Sequence, residues 1–223
     1  MRLQSRTRPA TTAPRRRPAT TRSPRVETTA PIRRGDKRDR ILRAAIDVFA
    51  EHGFFGAQVA HVARTAGVAA GTVYLYFDSK DALLVSIFEQ TMAEVIAEGR
   101  SIVDAASGPT DRLTRIARMH LGRLGRDRRL AVVIQVEMRH SLKYVERFSR
   151  AHVRDYLALI EQVIAEGQAD GAFRKGLNAK FAAKAFFGAL DEAATSWILS
   201  RRRYALRGLA DHVVDLFVHG ATS

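Results

Sequence analysis

The sequence predicts an all-α protein: an N-terminal three-helix domain with a helix-turn-helix, followed by a larger helical domain. Apolar residues recur every three or four positions along most of the 223 residues, which is the helical period. Residues 57–77 have the spacing of two short helices joined by a tight turn. Residues 130–138 partly alternate like a strand, but no second strand is available to pair with them. We therefore predict a helix there, since a lone strand leaves its backbone groups unpaired.

A basic, proline-rich tail occupies residues 1–35. It contains ten Arg and one Glu, so it contributes +9 of the total charge of +14, and it holds five of the six prolines. With so few large apolar side chains it cannot bury enough surface to offset its ordering entropy, and we predict disorder. The tail is either an arm that binds DNA phosphates without sequence preference, a solubilising leader, or sequence that precedes the true start codon.

Composition excludes several classes of protein. The absence of cysteine excludes a disulfide scaffold and a cysteine-ligated zinc site. No run approaches the roughly 18 apolar residues of a membrane span, and the N-terminus lacks the apolar core of a signal peptide. We expect a soluble cytoplasmic protein without a membrane partner. A positive charge attracts nucleic acid, anionic membrane or anionic small molecules, and charge alone does not choose among them.

The predicted DNA-binding domain spans residues 36–82, and its first helix begins at Asp36. Asp is a good N-cap, and Gly53 is expected to end this helix. Between the two, one apolar face is formed by Ile41, Leu42, Ala45, Val48 and Phe49.

The next two helices form the predicted helix-turn-helix. Ala63 is small enough for the helices to cross closely, and Gly67 lies where the chain leaves the first helix with positive φ. Val68 fills the turn, while Val73 and Tyr76 are the inward positions of the second helix. An ordinary αα-hairpin in a core is the alternative interpretation of this spacing.

The second domain, residues 83–220, is predicted to be wholly helical. A long helix capped by Asp78 or Ser79 leads into it, and the predicted segments are 79–103, 110–124, 130–138, 144–166, 179–200 and 204–219. Gly188 lies in mid-helix, where glycine costs about 1 kcal/mol relative to Ala, and several Ala surround it. Small residues allow close helix contact, so the two C-terminal helices are predicted to form a homodimer as a four-helix bundle. Packing within one chain is the alternative.

The N-terminal half resembles the TetR family of bacterial transcriptional repressors. The resemblance rests on RILRAAIDVFAEHGF, VARTAGVAAGTVYLYF and DSKDALL, within residues 40–84. It implies a homodimeric repressor that binds a double-stranded operator through Gln58, Ala69, Ala70, Gly71, Thr72, Val73, Tyr74, Tyr76 and Lys80. Tyr76 is equally plausible as a core residue.

Two positions depart from the family pattern. The family usually has Thr or Ser where this chain has Ala57, and Ser where it has Ala69. Loss of a capping hydroxyl typically costs about 0.5–2 kcal/mol, which affects the expected operator affinity but not the fold.

The C-terminal half resembles the FadR-type members of that family. The matching stretches are LAVVIQVEMRHS and EQVIAEGQADGAFRKGLNAKFAAKAFFGALDEAATSWILS. Such members repress fatty acid degradation genes and release DNA when long-chain acyl-CoA binds. The resemblance therefore implies a small-molecule effector, with no cofactor.

An acyl chain requires an apolar tunnel, and the CoA phosphates require cations. The tunnel candidates are Leu130, Val133, Ile134, Met138, Tyr156, Phe187 and Trp197, and the cation candidates are Arg123, Arg126, Arg128, Arg129 and Arg139. The alternative interpretation is that the apolar residues belong to an ordinary core and that the arginines form a solvated face. The polar residues Gln135, Asp191 and Glu192 either line the pocket or satisfy one another.

Three other functions compete with this prediction. A repressor of the same family could sense a lipophilic drug or another amphiphile. An enzyme is disfavoured, because the seven His are scattered and no HExxH or nucleophile motif is present, so neither a catalytic nor a metal site is predicted. A sequence-indifferent DNA binder driven by the tail would lose its DNA binding on deletion of residues 1–34, whereas operator binding would survive.

Overall fold

The computed structural model describes residues 34–137, 150–202 and 204–221. Within these ranges the chain forms nine α-helices and no strand, which confirms the predicted all-α class. The predicted tail, apart from its last two residues, lies outside the described residues. The same holds for the candidate ligand residues Met138 and Arg139 and for the predicted helix start at residues 144–149.

The helices follow the sequence in order, with two short turns of other helix types. They are α1 (Arg34–Gly56), α2 (Val59–Ala66), α3 (Ala70–Tyr74), α4 (Lys80–Ala105), α5 (Pro109–Arg126), α6 (Arg128–Val132), α7 (Arg150–Ala169), α8 (Ala179–Leu199) and α9 (Leu209–Ala221). A π turn, Val133–Glu137, continues α6, and a 3₁₀ turn, Leu206–Gly208, precedes α9.

The start of α1 differs from the prediction. The helix begins at Arg34, so Asp36 lies in its first turn, where a carboxylate still favours the helix dipole, and is not the N-cap. Gly53 ends the regular helix as predicted: its φ of 70° and ψ of 159° are non-helical, and a short helical segment follows this kink to Gly56. Only glycine adopts this backbone region without strain.

Gly53→Ala is therefore expected to destabilise the protein by about 1–2 kcal/mol, because the Cβ opposes this backbone conformation. Thermal unfolding should show a fall in Tm of several degrees. Gly56→Ala is the matched control, since an added Cβ there meets no atom within 4 Å. An equal loss in both variants would refute the strain explanation.

The helical prediction for residues 130–138 is confirmed through Glu137. The partly strand-like alternation of residue types in this segment matches its burial, which also alternates from one residue to the next. Ala131, Val133 and Gln135 are buried, while Leu130 and Ile134 are half-buried. Neighbouring helices pack around most of the segment, so a helix here carries apolar residues on nearly every side.

The core is continuous from α1 to α9. In the N-terminal domain it includes Phe49 and Val62, both fully buried, and in the second domain α7 packs against α4, α5 and α8. Each such side chain contributes about 1.5–3 kcal/mol through burial. The 26-residue α4 runs from the helix-turn-helix into the second domain, a length of about 39 Å. None of the described helices combines the length and apolarity needed to span a membrane.

Candidate DNA-binding surface and ligand cavity

The turn between α2 and α3 has the predicted geometry. Gly67 adopts φ 65° and ψ 40°, the left-handed region in which glycine avoids the penalty of a Cβ. The Val68 N–H donates to the Ala63 carbonyl at 3.0 Å, which closes the end of α2. Ala63 and Val73 are buried between the helices. The helix-turn-helix prediction is confirmed.

The outer surface of α3 carries most of the residues predicted to meet DNA. Tyr74 is 52% exposed and Thr72 is half-buried. The small or polar positions Gln58, Ala69, Ala70 and Gly71 are exposed. One predicted contact is wrong: Val73 is 1% exposed, so it belongs to the core and cannot reach a base. Tyr76 is partly buried against the core.

Lys80 makes intramolecular contacts that the sequence did not predict. Its Nζ donates to the carbonyls of Ala57 at 2.9 Å and Phe55 at 3.2 Å, and lies 4.7 Å from the centroid of the Phe54 ring. Lys80 therefore satisfies carbonyls that follow the kink in α1. The prediction of a free phosphate-binding lysine overlooked this role, although an ammonium group has three protons to donate.

The helix-turn-helix has two N-caps that make no side-chain hydrogen bond, Gln58 for α2 and Ala69 for α3. Ala69→Ser is expected to stabilise the protein by about 0.5–2 kcal/mol, because its hydroxyl can accept from the N–H of Gly71 or Thr72. Chemical denaturation measures the gain. Ala70→Ser places a hydroxyl one residue past the cap and should give none; equal gains would contradict capping as the cause.

A cavity that is partly open to solvent lies among α4, α5, α6, α7 and α8. Its walls are mainly apolar. The apolar and aromatic lining residues are Phe88, Met92, Val95, Leu124, Leu130, Ile134, Val153, Tyr156 and Phe187. Five polar residues also line it: Thr91, His120, Arg123, Gln135 and Asp191. This mixture suits a largely apolar ligand that carries a few polar atoms.

The structure places the predicted tunnel residues in different environments. Leu130, Ile134, Tyr156 and Phe187 line the cavity. Val133, by contrast, is fully buried in the core. Trp197 lines a separate surface cavity near the end of α8, so its assignment to the same tunnel is wrong.

The described arginines do not form one cationic cluster. Arg123 lines the cavity and pairs with Glu94 and with Glu98, the latter at 2.8 Å. Arg129 pairs with Asp47 at 3.1 Å, and Arg126 is exposed.

Arg128 is the fourth arginine of the predicted cluster that the structure describes. It donates to the carbonyls of Trp197 and Ile198, and its guanidinium lies 5.1 Å from the Trp197 ring centroid. The predicted cluster is therefore wrong, because Arg123, Arg128 and Arg129 contact carboxylates and carbonyls of different helices.

A polar pair lies in the cavity wall, with Tyr156 buried and His120 half-buried. His120 Nδ1 is 3.2 Å from the hydroxyl of Tyr156. Burial lowers the pKa of His120 to about 4, with an opposing effect from the charge of Asp191. Burial also raises the pKa of the Tyr156 hydroxyl, with a smaller contribution from Glu98. Both side chains are therefore neutral at neutral pH.

Several lining residues were not predicted as ligand contacts. Phe88, Thr91, Val95, His120 and Leu124 lie at inward helical positions of the sequence, and periodicity alone does not separate core from cavity.

The polar residues singled out in the sequence divide between two environments. Gln135 and Asp191 line the cavity. Glu192 is exposed and accepts from the Ser196 hydroxyl at 2.9 Å, so it does not belong to the cavity wall.

The cavity is linked to the DNA-binding domain through α6 and its π turn. Glu137, at the end of that turn, accepts from the Phe54 N–H at 2.7 Å, next to the kink in α1. At the start of α6, Asp127 pairs with Arg43 of α1. Because Leu130 and Ile134 lie between these two contacts, one segment touches both the cavity and α1.

The outer faces of α8 and α9 are partly apolar. Phe181 is 67% exposed, Leu199 is 74% exposed and Leu216 is 77% exposed. A Cβ added at Gly188 would meet no atom within 4 Å. The mid-helix glycine therefore has no close neighbour among the described residues of its own chain.

Family models match the described chain almost end to end. Residues 41–87 match the model of bacterial regulatory proteins of the tetR family. Residues 88–220 match the model of the C-terminal region of YsiA-like proteins. Neither model describes an enzyme, in agreement with the lack of a catalytic motif in the sequence.

Individual relatives extend this similarity. The fatty acid metabolism regulator protein of Bacillus subtilis is 32% identical over 181 residues, 81% of this chain and 93% of the relative. The fatty acid degradation regulator FadR of Bacillus halodurans superposes with a TM-score of 0.77 at 36% identity, covering 82% of this chain and 98% of that one. The regulator FadR of Bacillus subtilis in complex with stearoyl-CoA gives a TM-score of 0.77 at 32% identity, with the same coverages.

Proposed function

Because the chain belongs to the TetR family of bacterial regulatory proteins, we propose that it is a homodimeric repressor released from its operator by long-chain acyl-CoA. It acts in the cytoplasm, where bacterial operators lie, and controls genes of fatty acid metabolism. The observation that carries the proposal is the mainly apolar cavity in the second domain.

The DNA-binding half of the proposal rests on α3. Thr72 can offer a hydroxyl to a base or phosphate and a methyl to thymine, and Tyr74 offers an exposed hydroxyl near the backbone. With few amide or charged groups on this helix, DNA shape contributes much of the specificity. Two copies of α3 in a dimer would enter successive major grooves about 34–36 Å apart.

Dimerisation is proposed through the outer faces of α8 and α9. Exposed Phe181 and Leu216 would lose solvent contact there, and the open position at Gly188 permits close approach of a second helix. A two-fold pairing of these helices gives a four-helix bundle.

The effector half of the proposal combines the cavity with one paired arginine. The apolar walls accommodate an acyl chain, while Arg123 lies at the cavity bound to Glu94 and Glu98 of α4. An anionic head group that pairs with Arg123 would displace these carboxylates and loosen α4 from α5. Since α4 leads to the DNA-binding domain, this exchange favours a geometry that no longer fits the operator.

A second candidate effector is a lipophilic cation. Among the described residues the walls are mainly apolar, and Arg123 is already paired with Glu94 and Glu98, so a cationic amphiphile would leave these two ion pairs intact.

Fluorescence anisotropy of the full chain on DNA from upstream of its own gene, compared with scrambled DNA, tests these candidates. Long-chain acyl-CoA, free fatty acid and a cationic amphiphile are added in turn. Release by acyl-CoA alone is expected. Release by the cation alone would favour the second candidate, and equal binding to both DNAs would overturn operator recognition.

A further inference from the structure

The cavity wall contains a rigid aromatic cluster around one imidazole. His120 of α5 and Tyr156 of α7 have nearly parallel rings, with centroids 5.7 Å apart and an interplanar angle of 14°. Phe187 of α8 meets both rings edge-on, each at 5.9 Å. Three helices thus hold the imidazole in place beside the cavity that all three residues line.

The hydrogen bonds of the cluster assign the imidazole proton. His120 Nε2 is shut off from solvent and has no hydrogen-bond partner among the described residues. If Tyr156 donates to Nδ1, only the Nε2–H stays unmatched. If Nδ1–H donates instead, both the Nε2 lone pair and the Tyr156 proton stay unmatched. Since unmatched buried groups are unfavourable, the first arrangement prevails, and Nε2 carries the proton.

We propose that the Nε2–H of His120 donates a hydrogen bond to a carbonyl oxygen of the effector, which for an acyl-CoA is the thioester oxygen. The proposal rests on the proposed function and specifies the chemistry of that ligand: a long apolar chain that carries one neutral carbonyl. A buried donor left unmatched in the free protein gains its partner when such a ligand binds.

The surroundings of His120 favour a neutral acceptor over an anionic one. Asp191 lines the same cavity, and its charge acts on the imidazole. A neutral imidazole offers a buried carboxylate no compensating charge, whereas a thioester or ketone oxygen carries no net charge and needs only a hydrogen-bond donor. Arg123 also lines the described wall, where it is paired with Glu94 and Glu98.

The test compares hexadecanoyl-CoA with S-hexadecyl-CoA, a thioether that lacks the carbonyl, by isothermal titration calorimetry on the full-length protein. The wild type is expected to bind the thioester about tenfold more tightly. His120→Phe, which keeps an aromatic ring, should bind the two ligands equally. His120→Gln, which retains an N–H donor, should recover part of the preference even if the Phe variant folds poorly.

The outcomes separate this inference from the proposed function. Equal wild-type affinity for both ligands would overturn the role of His120 while the acyl-CoA proposal stands. If His120→Phe still prefers the thioester as strongly as the wild type does, the role of His120 is overturned as well. Failure of the wild type to bind either ligand would overturn both proposals together.

Discussion

Val153→Trp should produce a repressor that binds its operator but no longer responds to acyl-CoA. Val153 is half-buried on α7 and lines the cavity, so an indole there occupies volume that the acyl chain needs. Acyl-CoA affinity is expected to fall by about 100-fold or more, which corresponds to about 2.7 kcal/mol. Operator affinity should change by less than about threefold, because α7 does not belong to the helix-turn-helix.

Calorimetry gives the acyl-CoA affinity of this variant, and anisotropy gives its operator affinity. Leu157→Trp is the matched control: Leu157 is also half-buried on α7 but does not line the cavity. Full acyl-CoA binding by Val153→Trp would show that the ligand lies elsewhere. A parallel loss in Leu157→Trp would indicate general damage from overpacking.

Glu137→Gln is expected to separate ligand binding from DNA release. The Glu137 carboxylate accepts from the Phe54 N–H at 2.7 Å, and charge-assisted bonds of this kind contribute about 1.5–3 kcal/mol. The bond joins the π turn, which contains cavity-lining Ile134, to the kink in α1. Lys80, which packs on Phe54, then connects that kink to the start of α4.

The quantity to measure is the ratio of operator Kd with and without saturating acyl-CoA. Allosteric couplings are typically 5- to 150-fold, and Glu137→Gln should reduce this ratio by about tenfold while acyl-CoA affinity stays within about threefold. Glu51→Gln, an exposed carboxylate on the same α1, controls for the lost charge. An unchanged ratio in Glu137→Gln would exclude the π turn from the coupling.

The helix-turn-helix was predictable because its determinants are local. Ala63, Gly67 and Val73 lie within eleven residues, and each is constrained by steric rules that hold for any chain: close crossing, positive φ and an inward helical position. Local periodicity also predicted the later helices. The start of α1 was mispredicted, and the short helical segment after Gly53 was not foreseen, since its Phe54 N–H finds a partner in Glu137, far away in the sequence.

The ligand site was less predictable, because its groups meet only in the folded chain. The sequence shows that Arg123 is basic, but not that Glu94 and Glu98, more than twenty residues earlier, neutralise it. In the same way Lys80 contacts the Phe55 carbonyl, and Arg128 contacts carbonyls about seventy residues later. Helical periodicity placed His120 on an inner face, but only the packing of α5, α7 and α8 shows that this face borders a cavity.

Reciprocal linkage tests the central claim most directly. The affinity of the full-length protein for long-chain acyl-CoA is measured by calorimetry with and without saturating operator DNA. If acyl-CoA releases the operator through a change in conformation, the operator must weaken acyl-CoA binding by the same factor by which acyl-CoA weakens operator binding. Equal factors of about 5 to 150 are the predicted result. An acyl-CoA affinity that is unchanged by operator DNA would contradict the account.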